Sequence, residues 1–274
     1  MDVLRSSSLV SKQFLSASKS DTMWGNFVSS ACDGVVSRSS SSIPYDRFGS
    51  KMELFIYLCY VPTLLENKTK SFTLDKWSGK LCYTLGARAL SITEGSHRRH
   101  WKWESIEYSR FPECAVMECI AWLEIRGKIH TKLLAPSTTY GVYFVYHIRA
   151  DPMYSSGFEH VPVTVSISEI NEDGLPTNYY HTPKTRRFYL KVPNPSKRDV
   201  LQPVVRRDGW MEIEMGRLRR YRVEGEILEM TIKECENGQY KTGLVIHGIE
   251  FRPLTRKHLI CDQLTELLNN KIRP

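Results

Sequence analysis

Val161-Pro162-Val163-Thr164-Val165-Ser166-Ile167-Ser168 sets an aliphatic side chain at every second position, with Thr or Ser filling most of the gaps. A period of two is the signature of a β-strand that buries one face and wets the other. Working outward, the same alternation returns in Phe188, Leu190 and Val192, in Met211, Ile213 and Met215, and in Leu244 and Ile246 set against Val245 and His247. Ala121–Ile129 and Tyr140–Ile148 are richer in apolar and aromatic residues, as strands near a core centre would be. Turn-forming pairs fall between these stretches: Ala135-Pro136, Asp173-Gly174, Asp208-Gly209 and Asn237-Gly238, with Pro193-Asn194-Pro195. Many short strands with no helical run between them predict a mainly β protein, an antiparallel β-sandwich or jelly roll. Asn237-Gly238 is the sharpest hairpin signal among them.

Helical spacing appears only at the two ends. Leu9, Val10, Phe14 and Ala17 are spaced for a helix, as are Leu54, Ile56, Tyr57 and Leu58 behind an N-cap candidate, Ser50. Ser37–Ser42 reads as a linker, and Leu259, Ile260, Leu264, Leu267 and Leu268 predict a C-terminal amphipathic helix. The 274 residues are 41% hydrophobic and 11% aromatic, enough for a real core, and no apolar run approaches the roughly 18–20 residues that span a bilayer. A soluble protein with no membrane partner is expected. The seven cysteines (32, 59, 82, 114, 119, 235 and 261) form no CxxC pair and have no histidines at metal-ligand spacing, so buried, unpaired thiols in a reducing compartment are expected. The first twenty residues lack a secretory apolar core. Cytoplasm or nucleus is the expected location.

Three features bear on chemistry. First, no phosphate-cradling glycine loop, HExxH or GxSxG occurs; Glu212 and Glu214 share a strand face but equally suit a solvated sheet surface. A non-enzyme without metal or cofactor is expected. Second, Lys184–Arg222 holds twelve Lys/Arg and four Asp/Glu, a surplus of eight equal to the net charge of the whole chain. Arg217, Arg219, Arg220 and Arg222 are its densest part and could meet phosphates or an acidic partner, although nucleic acid is not the leading expectation. Third, Trp101 and Trp103 lie on one side of any extended segment. That pair fits a core position and a sugar platform equally, since an indole face suits the C–H face of a sugar ring. Trp122 and Trp210 read as core.

Beyond these patterns, ordered blocks of sequence resemble a family. Trp77-Ser78-Gly79-Lys80-Leu81 through Ile92, Trp101-Lys102-Trp103, Ser109-Arg110-Phe111, Trp122 through Ile129, Thr139 through Tyr143, Asp208 through Ile213 and Gly243 through Pro253 are similar, in order, to the phloem protein 2 lectin domain of tobacco-type plant lectins. The resemblance implies a β-sandwich over 72–253 that binds N-acetylglucosamine-containing glycans or glycoproteins. Trp101, with Trp103 beside it, and Glu226 and Glu234 would line the site. Glu226 competes with Ile227 for its place, because the chain carries an extra residue there and a shift of one turns a strand residue to the other face. Where the family has a further tryptophan this chain has Glu94, and where it has Gly-Glu-Phe this chain has Gly216-Arg217-Leu218.

Ser8 through Phe14, Asp21-Thr22-Met23-Trp24 and Phe27 resemble the second half of an F-box, and Lys51–Cys59 resembles the connecting helix of the branch that fuses an F-box to this lectin domain. That branch docks on the Skp adaptor of a cullin ubiquitin ligase, which would make the chain a substrate-recognition subunit. Leu9, Val10, Phe14 and Trp24 would be the remnant of the adaptor interface, weakened or lost because the sequence starts after the Leu-Pro segment and first helix. The expected organisation is an F-box remnant at 1–30, a linker and connecting helix at 31–71, the lectin domain at 72–253 and a helical extension at 254–274. The other expectation is a non-lectin interaction protein using the basic 184–222 region.

Overall fold

A computed structural model describes residues 20–22, 24–25, 28, 48–177, 185–191, 202–219, 227–236 and 238–254. The expected C-terminal helix, together with Leu9, Val10, Phe14, Arg220, Arg222 and Glu226, lies outside the described residues. In chain order the elements are α1 (Lys51–Tyr60), β1 (Thr63–Leu65), β2 (Lys70–Leu74), β3 (Leu81–Gly86), β4 (Ser91–Ile92), β5 (Trp101–Glu104), β6 (Cys114–Met117) and β7 (Leu123–His130). They continue with β8 (Thr139–Ile148), β9 (Val163–Ile170), β10 (Thr185–Phe188), β11 (Val204–Val205), β12 (Met211–Arg219), β13 (Ile227–Glu234) and β14 (Leu244–Pro253).

The strands form two antiparallel sheets. The larger runs β1-β2-β3-β14-β8-β12-β11, with β6 paired to the start of β14 and β5 beyond it; the smaller runs β10-β9-β13-β7-β4. Alternate residues from each sheet meet in one core. Val142, Phe144, Ile213, Ile249 and Phe251 come from the larger sheet, and Leu123, Ile125, Val163, Val165, Met230 and Ile232 from the smaller. Sheet-on-sheet packing of this kind removes both inner faces from water, at about 25 cal/mol per Å² of apolar surface. The fold is therefore the antiparallel β-sandwich that the period-two segments predict. Its larger sheet begins at Thr63, ahead of the expected start at 72, because β1 pairs with β2 and β2 with β3.

The Asn237-Gly238 signal needs correcting. Asn237 lies outside the described residues and Gly238 takes φ +59, but β13 lies in the smaller sheet and β14 in the larger. The segment crosses between sheets instead of closing a hairpin. Asp208-Gly209 does join neighbouring strands: Gly209 takes φ +85, and Arg206 N–H donates to Trp210 O at 2.7 Å between β11 and β12.

One irregularity shapes the outer face of the larger sheet. Opposite β8, Ile246 pairs with Tyr146 and Gly248 with Val145, leaving His247 as the extra residue of a β-bulge. A side chain cannot replace Gly248, because a Cβ there would sit 2.0 Å from Leu85 O. The bulge turns His247 outward against Trp210 and Phe111, beside a second apolar cluster of Cys114, Val116, Val145, Trp210 and Val245.

At the other end of the chain, Ser50 caps α1 by accepting from Glu53 N–H at 3.3 Å, and the Asp21 carboxylate accepts from Lys51 N–H at 2.9 Å. The Trp24 ring packs 5.1 Å from that of Phe55 and is buried. Trp24 is thus an internal contact, which corrects its placement on an open adaptor face. The five described cysteines are unpaired; Cys235 is exposed rather than buried.

Candidate functional site

Trp101 and Trp103 share one side of β5, as their spacing requires, but the structure spends them inward. Trp101 is 2% exposed and its indole N–H donates to Thr93 O at 3.0 Å. Trp103 is half-buried, donates to Gly95 O at 2.9 Å, and has the Arg88 guanidinium 3.6 Å above its ring centroid. Of the two alternatives the spacing left open, the structure takes the inward one, so the sugar-stacking role that the resemblance implies for these rings is corrected: both indoles fasten the turn at 93–97. That turn presents Glu94, at φ +53, whose carboxylate pairs with His100 Nε2 at 3.0 Å, while His100 Nδ1 lies 2.7 Å from Cys119 O.

Glu234 is corrected likewise. It follows Leu228, Met230 and Ile232 in the inward register of β13 and is buried. Its partner is Lys241, which is also fully buried; the ammonium donates in addition to Ala121 O at 2.7 Å and Gln239 O at 2.8 Å. Three acceptors complete the shell of the ammonium, as a buried charge demands. The effect is to clamp two surface segments together, since Ile120 and Lys241 also exchange backbone hydrogen bonds at 3.0 and 2.8 Å.

On those clamped segments stand two open aromatic rings. Trp122 is 63% exposed and Tyr240 69% exposed. Trp122 was expected in the core, yet the sequence held the contrary signal. Leu123, Ile125 and Ile129 take the inward register of β7, so 122 falls with Glu124, Arg126 and Lys128 on the outward one. Trp210 is buried as expected. The Glu94–His100 pair is tied to the chain on both sides of Trp122, by His100 Nδ1 at Cys119 O and by Thr93 N–H donating to Glu124 O, and Tyr240 adjoins the Lys241 that pairs with Ile120, with Trp101 and Glu234 buried as supports. Among the described residues no group of three or more His, Cys, Asp or Glu is arranged to hold a metal ion.

Among the described residues of the basic stretch, three arginines are paired closely with carboxylates. Arg217 makes a two-pronged contact with Glu214 at 2.9 and 3.0 Å, and Arg186 reaches the same carboxylate at 3.1 Å. Arg206 pairs with Asp208, Glu212 and Glu250 at 3.0, 3.3 and 2.9 Å. Arg219 is exposed at the end of β12. Glu212, with Arg206 and Arg252 on it, and Glu214 serve ion pairs, not an acid–base couple.

Comparison with known proteins agrees with this architecture. The family model described as phloem protein 2 matches residues 80–253. The Arabidopsis thaliana F-box protein At2g02240 is 38% identical over 245 residues, covering 89% of this chain and 72% of that protein. F-box protein PP2-B10 of Arabidopsis thaliana is 35% identical over 247 residues, covering 89% and 84%. Among solved structures, a family 35 carbohydrate binding module from Clostridium thermocellum overlays at TM-score 0.33 with 11% identity, covering 62% of this chain and 96% of the module, too loosely to carry an argument.

Proposed function

The chain belongs to the phloem protein 2 family, and from that premise we propose that it is a non-catalytic carbohydrate-binding protein whose glycan lies on the Trp122–Tyr240 end of the sandwich. The observation that carries this reading is the pair of exposed rings, Trp122 and Tyr240, on two segments joined by the Ile120–Lys241 backbone bonds and held by the Lys241–Glu234 pair. A sugar's C–H face is attracted to such a ring, and Glu94 and His100 stand nearby for its hydroxyls. A platform fixed before binding loses little entropy when the ligand arrives. N-acetylglucosamine oligomers are the ligands to try first. Titration followed by tryptophan emission should give saturable quenching that Trp122→Ala weakens roughly thirty-fold, the loss of about 2 kcal/mol typical of a central aromatic contact. A flat titration of the wild type across a glycan panel overturns the reading.

A second role is supported by the F-box names of relatives that span about nine-tenths of the chain. In that role the chain brings glycoproteins to a ubiquitin ligase in the cytoplasm or nucleus, with Leu9, Val10 and Phe14 as candidate residues for the Skp adaptor. Retention of the chain on an immobilised Skp adaptor is expected, and it should drop with Leu9→Ala and Phe14→Ala. No retention at all restricts the protein to glycan recognition.

A further inference from the structure

The outer face of the larger sheet carries a hollow of about 320 Å³, at a different place from the Trp122 end. Pro62, Glu107, Tyr108, Ser109, Arg110, Asp208, Trp210 and His247 line it. We propose that this hollow is a second binding site, for a neutral, hydroxyl-rich ligand of the saccharide class, with Tyr108 as the ring it stacks on and Asp208, Glu107 and Arg110 as its hydrogen-bonding partners.

The walls select the ligand by charge and by shape. Tyr108 is 52% exposed, and its inner side rests on Trp210 with ring centroids 5.1 Å apart. It therefore offers a fixed, open aromatic face. Asp208 is held at both oxygens: Oδ1 accepts from Trp210 N–H at 3.2 Å and from Arg206 Nε at 3.2 Å, and Oδ2 pairs with Arg206 at 3.0 Å. Arg206 is locked in turn by Glu212 and Glu250. The carboxylate still has part of its surface open, so lone pairs remain for a ligand hydroxyl. Glu107 and Arg110 border the hollow as well, and the Arg110 charge also acts on His247 and Glu250.

An anion entering the hollow would meet Glu107 and Asp208, and a cation would meet the Arg110 guanidinium. A hydroxyl group satisfies both signs, donating to the carboxylates and accepting from the guanidinium. The histidine adds no charge: burial, with Arg110 and Arg206 opposing a second positive charge, pushes His247 down to about 3, against weaker upward pulls from Glu250 and Asp208. A volume of this size suits one or two sugar rings. The ligand class rests on the carbohydrate reading above, whereas the location does not.

The test titrates wild type, Trp122→Ala, Tyr108→Ala, Arg110→Ala and the two doubles that add Tyr108→Ala or Arg110→Ala to Trp122→Ala with N-acetylglucosamine, mannose and galactose trisaccharides by calorimetry, with inorganic phosphate as the charged control. Tyr108 and Arg110 are surface residues, so these variants should fold, and circular dichroism checks it. The expected result is residual saccharide binding that survives Trp122→Ala and falls at least ten-fold further when Tyr108→Ala or Arg110→Ala is added to Trp122→Ala. Binding abolished by Trp122→Ala alone and unchanged by the other two overturns the hollow while leaving the carbohydrate reading standing. No saccharide bound by the wild type overturns both, and Arg110-dependent phosphate binding overturns the neutral-ligand assignment.

Discussion

Lys241 and Glu234 form the buried pair on which the candidate site stands, and their cost and benefit can be separated. Removing two charges from water is expensive, and their attraction and hydrogen bonds only offset that cost. Lys241→Met leaves the Glu234 carboxylate buried without its counter-charge and should cost about 3–5 kcal/mol in urea unfolding. The double variant Glu234→Leu/Lys241→Met removes both charges and should recover most of that loss. It should not recover the clamp, because the bonds to Ala121 O and Gln239 O go with the ammonium. Stability regained with glycan affinity still depressed is therefore the expected pattern. A double variant no more stable than the single would instead assign the stability to the two carbonyl contacts. Nothing in the local sequence announces this pair. Glu234 lies on the inward register of β13, where a strand pattern anticipates an aliphatic residue, and Lys241 lies seven positions further on across a crossover between sheets.

The strands themselves were legible because each has one buried face, and burial on one face writes a period of two into the chain. Val163 and Val165 in β9, and Leu228, Met230 and Ile232 in β13, follow it without interruption. Where the pattern breaks, the break carries information. In β14 the core positions are Leu244 and Ile246, then Ile249 and Phe251, so the inward register changes from even to odd across His247-Gly248. That change of parity is the bulge, readable from the residues once the strand is known to be central. Trp122 was legible by the same rule, from the charged 124, 126 and 128 that share its register. The roles of Trp101 and Trp103 were not. Alternation places both on one side of β5, but the 93–97 turn that covers them is fixed by tertiary hydrogen bonds to Thr93 O and Gly95 O. Which strand joins which sheet is likewise a tertiary property: β13 and β14 flank the Asn237-Gly238 signal yet belong to different sheets.

Over the whole molecule, charge is distributed differently from its total. The chain carries +8, yet among the described residues of its basic stretch Arg186, Arg206 and Arg217 are paired with carboxylates. The same arrangement fixes how the fold responds to acid. His247 is held neutral chiefly by burial, with its pKa lowered from 6.5 to about 3. Between those values the unfolded chain binds a proton that the folded chain refuses, so stability is full above about pH 6.5 and declines as pH falls toward 3. Glu250 acts in the same direction at lower pH. Burial pushes its carboxyl up, but Arg252, Arg206 and Arg110 outweigh that and hold it below 4.5. The unfolded chain again takes the proton first, and stability is lost as pH drops through and below that value. Urea unfolding from pH 7.5 to 4 should therefore show a monotonic loss on acidification, approaching about 1.4 kcal/mol per pH unit for each proton taken up. His247→Gln, whatever it does to absolute stability, should flatten the slope between pH 6.5 and 4.5 and leave the steeper limb below 4.5 in place. A variant profile parallel to wild type across the whole range would transfer the upper limb to other groups, of which His147, also lowered by burial, is the first to substitute.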